Sequence, residues 1–158
     1  MVERMSKIKI YAILWTKGII MSEINTEFLT RCLETLKKSY ELIKTVDESS
    51  IDYEMYRNSL VKSFEMTLEQ SGKLLRKKLA PYFSSKKEVD KLTFKDLYRY
   101  ANKHSLIDES CVERWFKYRD NRNDTAHDYG VEFAKKTLSL VDDFIKDVEI
   151  LKGVIEND

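Results

Sequence analysis

Residues 134–155 read AKKTLSLVDDFIKDVEILKGVI, and this stretch decides the fold class. Its apolar side chains recur every three or four residues over about six turns, which is the spacing of one face of an amphipathic helix. The members of this stripe are Ala134, Leu138, Val141, Ile145, Val148, Leu151 and Ile155. Because a helix with one apolar face must bury it against another element, the rest of the chain is expected to supply partner helices.

The same spacing recurs in two earlier segments. Between residues 26 and 46 the stripe consists of Leu29, Leu33, Leu36, Tyr40 and Ile43. The next stripe, between about Glu54 and Leu79, consists of Leu60, Phe64, Leu68, Leu75 and Leu79. This second helix is expected to stop before Pro81, because proline cannot continue a helix. A short polar link joins the two segments, so we predict an antiparallel pair.

Shorter helices are predicted in the middle of the chain. Residues 81–92 form a basic connector with room for a short helix. Thr93 is the expected N-cap of FKDLYRYANKH, and Asp108 or Ser110 the expected N-cap of ESCVERWFKYRDN. Four glycines and one proline in 158 residues leave few turn-forming residues for a sheet. We therefore predict an all-α fold, an up-and-down bundle of four main helices plus a shorter one.

The domain boundaries and the compartment follow from simple features. Residues 21–158 are expected to form one domain, and residues 1–20 an N-terminal extension of uncertain role, because Met21 precedes an ordinary helix start. The apolar run IKIYAILW within residues 1–20 is too short to span a bilayer, so no membrane anchor is predicted. Cys32 and Cys111 lie in no C-x-x-C pair, so we expect buried, reduced thiols in a cytoplasmic protein.

The net charge is only +1, but positive charge is concentrated in one part of the chain. Between Lys73 and Lys103 there are ten basic residues and three acidic ones. Such a stretch either attracts a polyanion or forms a solvated helix face, and the sequence leaves both open. Four aromatic residues in and after this stretch are expected to pack in the core rather than stack on bases, namely Tyr98, Tyr100, Trp115 and Phe116. His104 is expected to be a surface or capping residue.

Residues 122–129, RNDTAHDY, are the candidate functional segment. Asn123 and Asp124 are common in turns, so the preceding helix is expected to end near residue 121, with His127 at or just past a turn. The guanidinium of Arg122 suits phosphate oxygens, and His127 can take or give a proton near neutral pH. The two can together cleave RNA without a metal. Because one histidine cannot easily act as both acid and base, a symmetric dimer with facing motifs is the more capable arrangement.

A structural interpretation of the same segment also stands. In that interpretation Arg122 caps the end of its helix, His127 fills a polar gap, and Tyr129 is buried with its hydroxyl paired. Spacing alone does not separate this alternative from a catalytic role. No His, Cys and carboxylate cluster has metal-ligand spacing and no glycine-rich phosphate loop is present, so neither a metal nor a cofactor is expected.

The segment resembles the R-x4-H-x-Y motif of the HEPN superfamily of helical proteins. Arg122, His127 and Tyr129 match its three named positions, and Asn123 matches the polar residue that usually follows the arginine. The stretches YRNSLVKSFEMTLEQSGKLLRKKL, TFKDLYRYANKHSLID and WFKYRDNRNDTAHDY also resemble the branch called nucleotidyltransferase substrate-binding proteins. The resemblance covers about residues 25–155.

The resemblance implies a HepT-like toxin of a type VII toxin–antitoxin system. Such toxins are metal-independent endoribonucleases, which implies catalytic roles for Arg122 and His127 at a homodimer cleft and a supporting role for Asn123. It further implies that a minimal nucleotidyltransferase, an MntA-like antitoxin, silences the RNase by transferring AMP to Tyr129. The alternative within the same branch is a non-catalytic substrate-binding partner of a nucleotidyltransferase.

Overall fold

Helices make up nearly all of the computed structural model, which describes residues 23–125 and 131–157, without the side chains of Thr125 and Phe133. No β-strand occurs within these ranges, so the predicted all-α class is confirmed. A 3₁₀ turn, Ala80–Tyr82, follows the second of six α-helices. The helices are α1 Glu27–Ile43, α2 Ile51–Leu79, α3 Lys86–Asp90, α4 Phe94–Lys103, α5 Glu109–Thr125 and α6 Val131–Glu156. The expectation of an extension at residues 1–20 lies outside the described residues.

Helices α1 and α2 form the predicted antiparallel pair. Ser39 and Ser59 meet across it, with their hydroxyl oxygens 2.7 Å apart. Helix α2 begins at Ile51 rather than near Glu54, because the Ser50 hydroxyl accepts a hydrogen bond from the backbone N–H of Tyr53 and caps the first turn. The first turns of α2 bury no side chain, which explains why hydrophobic spacing did not reveal them.

An aromatic cluster fills the core between α2, α4, α5 and α6. The rings of Phe64 and Phe144 lie 4.2 Å apart between centroids, and Tyr98 stacks on Trp115 at 4.6 Å. Tyr98 and Trp115 are fully buried, which confirms that they are core residues. Tyr118 completes the cluster with edge-on contacts to Trp115 and Phe144. Aromatic packing of this kind holds α5 in a defined position against α2 and α6.

A buried charge network joins α5 to α6. Arg114 binds Asp147 through two hydrogen bonds, Nε to Oδ2 and Nη2 to Oδ1, each 2.8 Å long. The Tyr118 hydroxyl donates to Asp147 Oδ2 at 2.6 Å, and burial together with this bond raises the pKa of Tyr118. Burial also raises the pKa of the neighbouring Cys111 thiol to about 11. The side chain of Asp147 is only 3% exposed, so its charge depends on these partners.

The connector between α2 and α4 is fixed by capping and by one arginine. Arg76 donates to the backbone carbonyls of Val89 and Leu92, the latter at 3.0 Å, so this member of the basic stretch has a structural contact. Thr93 caps α4, and Asp96 returns the bond in a capping box, as expected of Thr93. His104 is the C-cap of α4 and stacks on Tyr82.

The remaining predictions about the cysteines and the membrane can be compared with the structure. Cys32 and Cys111 are both buried and unpaired as thiols, as predicted. None of the described helices combines the length and hydropathy that crossing a bilayer requires.

Candidate functional site

The site is built on the second half of α5, which extends further than the sequence suggested. Asp108 caps the helix by accepting from the backbone N–H of Cys111 at 2.8 Å. The helix then continues through Asn123 and Asp124 to Thr125, so the prediction that it ends near residue 121 is wrong. Contacts of its last turns with α6 outweigh the turn preference of Asn123 and Asp124.

Two polar contacts hold the end of α5 against the start of α6. The buried amide of Asn121 donates to the Thr137 hydroxyl at 3.1 Å. One turn further along, Asp124 and Lys136 form an exposed ion pair of 2.9 Å. These contacts hold the last turns of α5 against the first turns of α6, the two helices that segment 126–130 links in the sequence. His127 and Tyr129 belong to that segment and lie outside the described residues, so their assigned roles stay predictions.

Arg122 projects from α5 toward two glutamates of α2. Its Nε lies 3.7 Å from Glu65 Oε1 and 3.6 Å from Glu69 Oε1. The Arg122 side chain is 31% exposed, which leaves part of its surface accessible to a ligand. Asn123, the predicted supporting residue, is exposed on the following position of the helix. The structure therefore places Arg122 and Asn123 together at the end of α5.

Arg119 lies one turn before Arg122 and shares one of its partners. Its Nη1 is 2.7 Å from Glu69 Oε1, and its guanidinium carbon lies 4.8 Å above the centre of the Phe94 ring. Gly72 allows this close approach of Phe94, because an added Cβ would lie 3.0 Å from Phe94 Cε2. Glu69 thus lies between two arginines, an arrangement that was not predicted from the sequence. The only indication in the sequence is the spacing of two glutamates four positions apart on α2 and two arginines three positions apart on α5.

Two open grooves meet beside these residues. The first, of about 330 Å³, runs along α2 and is lined by Phe28, Lys62, Glu65, Met66, Glu69, Gln70, Lys73 and Arg122. The second, of about 230 Å³, is lined by Glu69, Gly72, Lys73, Arg76, Phe94, Leu97 and Arg119. Glu69 and Lys73 line both, so the grooves are adjacent. Their charged side chains are mainly cationic, and the two glutamates are the opposing charges.

The cationic side chains of this surface are of the type that binds anions. Within residues 23–125 and 131–157, no three His, Cys, Asp or Glu side chains are grouped so that they can hold a metal ion. Guanidinium and ammonium groups beside an open groove bind phosphate oxygens through charge-assisted hydrogen bonds. The described part of the site can therefore bind and orient a phosphodiester, while proton transfer requires a group such as the imidazole of His127.

Comparison with known proteins identifies relatives in sequence. The chain matches the family described as "Nucleotidyltransferase substrate binding protein like" over residues 24–156. A Haemophilus influenzae protein named "Probable ribonuclease HepT" is 32% identical over 85 residues, which make up 54% of this chain and 57% of that protein. The matched segment thus spans little more than half of the relative's length.

Solved structures share the fold. One, from Haemophilus influenzae and reported as a substrate-binding domain of a nucleotidyltransferase, has a TM-score of 0.71 at 23% identity and covers 84% of this chain and 100% of its own. Another, from Thermus thermophilus, has a TM-score of 0.64 at 22% identity, and the match covers 82% of this chain and 99% of the Thermus chain. At these identities the likeness establishes the helical fold alone. Because the family match covers most of the chain, as the sequence resemblance predicted, the protein belongs to the nucleotidyltransferase substrate-binding protein family.

Proposed function

We propose that this protein is a HepT-like toxin, a metal-independent endoribonuclease that a minimal nucleotidyltransferase neutralises by AMP transfer. The placement of Arg122 carries the proposal: it lies at the end of α5, partly exposed, in an open groove and beside Asn123. The relative named as a ribonuclease supports the activity. His127 and Tyr129 follow Arg122 by five and seven positions in the sequence.

The reaction uses the ribose 2′-hydroxyl as the nucleophile. Its oxygen forms a bond to phosphorus while the bond from phosphorus to the 5′-oxygen breaks, which gives a 2′,3′-cyclic phosphate and a 5′-hydroxyl. His127 takes the proton of the 2′-hydroxyl or gives one to the leaving 5′-oxygen. Arg122 holds the phosphate and stabilises the charge that grows on it. In a homodimer the two histidines divide the roles of base and acid, which is why we include a dimer in the proposal.

The contacts of Arg122 with glutamate are compatible with phosphate binding. At 3.6 and 3.7 Å between nitrogen and oxygen, these ion pairs are longer than a charge-assisted hydrogen bond. Glu69 is 54% exposed, and ion pairs with an exposed partner typically contribute about 0–1 kcal/mol, whereas Glu65 is only 19% exposed and its pair with Arg122 is the more sheltered one. A phosphate that makes two shorter bonds to the guanidinium can therefore replace the Glu69 carboxylate.

Regulation acts on Tyr129 in this proposal. Its phenolic oxygen attacks the α-phosphorus of ATP, the bond to the β-phosphate breaks, and pyrophosphate leaves while the phenol proton passes to a base. The product carries a bulky, negatively charged AMP group two positions from His127. That group competes with RNA phosphate for the cationic site, so modification silences cleavage.

A second candidate function is a non-catalytic module that presents a substrate to a nucleotidyltransferase. The description of the family and that of the Haemophilus structure favour it. In that case the protein binds its nucleotidyltransferase tightly, and RNA stays intact at any concentration of the purified chain. The two candidates share a partner and differ in chemistry, so an RNA cleavage assay separates them.

The first experiment compares RNA cleavage by the wild type, Arg122→Ala and His127→Ala in the presence of EDTA. We expect both variants to lose at least about 100-fold in rate, because His127→Ala removes the general acid–base group and Arg122→Ala removes the cation that stabilises the charge on the phosphate. Arg31→Ala and His104→Ala are the matched controls: Arg31 is exposed on α1, and His104 is the other histidine of the chain. Full activity in Arg122→Ala or His127→Ala would refute the catalytic assignment.

The second experiment measures the intact mass of the protein after incubation with its nucleotidyltransferase and ATP. We expect a gain of one or more AMP units that disappears in Tyr129→Phe and persists in Tyr82→Phe, whose tyrosine is half exposed on another part of the surface. A gain that persists in Tyr129→Phe would place the modification elsewhere. No gain with an active nucleotidyltransferase would remove AMP transfer from the proposal.

A further inference from the structure

The adjacent grooves along α2 offer more than a site for one phosphate. Lys62 and Lys73 line the larger groove and are eleven positions apart, which is about 17 Å along a helix. Stacked nucleic acid carries one phosphate per about 3.4 Å along each strand, so this distance spans several phosphates. Arg122, the predicted catalytic arginine, lines the same open groove beside Glu65 and Glu69, between the two lysines along α2. A strand that contacts both lysines would therefore pass the predicted reacting position.

Lys73 is the cation best placed to contact such a strand. It is exposed and it borders both grooves. Among the residues whose placement is described, no carboxylate lies within ion-pair distance of it, whereas Lys62 pairs with Glu65 at 3.4 Å. Arg76 also lines the smaller groove, but its guanidinium is bound to backbone carbonyls. The positive charge of Lys73 is therefore available to an anion from solution.

Glu69 has the opposite relation to an incoming strand. It lies where the grooves meet, is 54% exposed, and pairs with both Arg119 and Arg122. A phosphate that approaches either arginine is repelled by this carboxylate and must displace it. Its charge therefore lowers the affinity of the site for any polyanion.

We propose that the adjacent grooves bind the backbone of single-stranded RNA, with Lys73 as a phosphate contact and Glu69 as the residue whose charge limits affinity. Single-stranded nucleic acid suits this surface, because an open groove lined by cations can follow one backbone. The proposal accounts for part of the basic stretch that begins at Lys73. It rests on the proposed RNase function, since it supplies the substrate contact for that reaction, and it is tested by binding rather than by cleavage.

The test measures binding of a fluorescein-labelled single-stranded RNA to the intact chain across a range of salt concentrations. His127→Ala is the background, so that the RNA stays intact. We expect Lys73→Gln to weaken binding by about 3–10-fold and to reduce the slope of log K against log salt by about 0.7, the loss of one phosphate contact. Glu69→Gln is expected to tighten binding about 3-fold or more, because it removes a repulsive charge.

Matched controls separate these effects from a change in net charge. Lys146→Gln on α6 and Glu34→Gln on α1 change the charge by the same amounts at exposed positions outside the grooves. We expect both to leave affinity and slope nearly unchanged. Circular dichroism checks that all four variants are folded.

Several outcomes would overturn the proposal. Equal slopes for Lys73→Gln and Lys146→Gln would show that Lys73 contacts no phosphate, and weaker binding by Glu69→Gln would show that Glu69 positions the arginines instead. Unchanged RNA binding with slower AMP transfer in Lys73→Gln would assign the surface to the nucleotidyltransferase. RNA cleavage by the wild type is measured separately. If the wild type cleaves RNA but Lys73→Gln binds RNA as tightly as its background does, this inference alone is refuted. If the protein binds RNA but does not cleave it, the RNase proposal alone is refuted.

Discussion

Removing the carboxylate of Asp147 is the sharpest perturbation of the fold that the structure offers. Asp147 accepts two hydrogen bonds from Arg114 and one from Tyr118 between α5 and α6. Removing one partner of a buried ion pair typically costs 3–5 kcal/mol. The Arg114 side chain is 34% exposed and can recover some hydration, so we expect Asp147→Ala to cost about 3 kcal/mol. For a chain of this size that lowers the Tm by roughly 6–12 °C.

A double-mutant cycle with Tyr118→Phe tests the reasoning behind that magnitude. In the wild type, Tyr118→Phe removes a hydrogen bond to a carboxylate and is expected to cost about 1.5 kcal/mol. In the Asp147→Ala background the buried hydroxyl has lost its acceptor, so the same change is expected to be neutral or stabilising. Urea unfolding followed by far-UV circular dichroism gives all four free energies. An equal cost of Tyr118→Phe in both backgrounds would refute the network as described.

Other predictions concern pH, glycines and the connector. Burial holds the pKa of Cys111 near 11 and raises the pKa of Tyr118. In the unfolded chain these two groups lose their protons from about pH 9 upward, so the free energy of unfolding should decrease between about pH 9 and pH 11. The urea midpoint should therefore fall over this range, and less steeply in Tyr118→Phe. Gly153→Ala, with nothing within 4 Å of the new Cβ, should stabilise by about 0.5–1 kcal/mol in urea unfolding, whereas the crowded Gly72→Ala should not, and equal gains would contradict this. Arg76→Lys should cost about 1–2 kcal/mol in the same assay, because a lysine cannot reproduce the fork to two carbonyls, and an unchanged midpoint would show that the fork is dispensable.

The long helices could be predicted because their apolar spacing is regular and extends over many turns. The stripe of α6 and the paired stripes of α1 and α2 were sufficient for the all-α class. Two helix ends differ from the prediction, the start of α2 and the end of α5, and polar contacts decide both. Ser50 adds a capped first turn to α2, and contacts with α6 carry α5 through Asn123 and Asp124. The Ser50 cap is a local signal that hydrophobic spacing overlooks, whereas local preference is a weak guide to the end of α5, because side chains of α6 supply the deciding contacts there.

The roles of the predicted site residues stay predictions. Arg122 and Asn123 come from a motif within eight residues and lie in the last turn of α5. Glu65 and Glu69 were not found, because their relation to Arg119 and Arg122 exists only after α2 and α5 have packed together. Asp147 was not predicted for the same reason. In the sequence of α6 it is one acidic residue among several, and its burial follows only from packing against Arg114 of α5.

The contacts of Asn121 with Thr137 and of Asp124 with Lys136 have a consequence for the thermodynamics of the short connection between α5 and α6. Bringing the two ends of a chain segment together costs entropy, and here the packing of the bundle already sets the separation of those ends. In the proposed RNase, the effective concentration of His127 near Arg122 would then depend on the packing of the whole bundle. There we expect a substitution at Lys136, which is in no motif, to lower that concentration and slow cleavage without altering any reacting group.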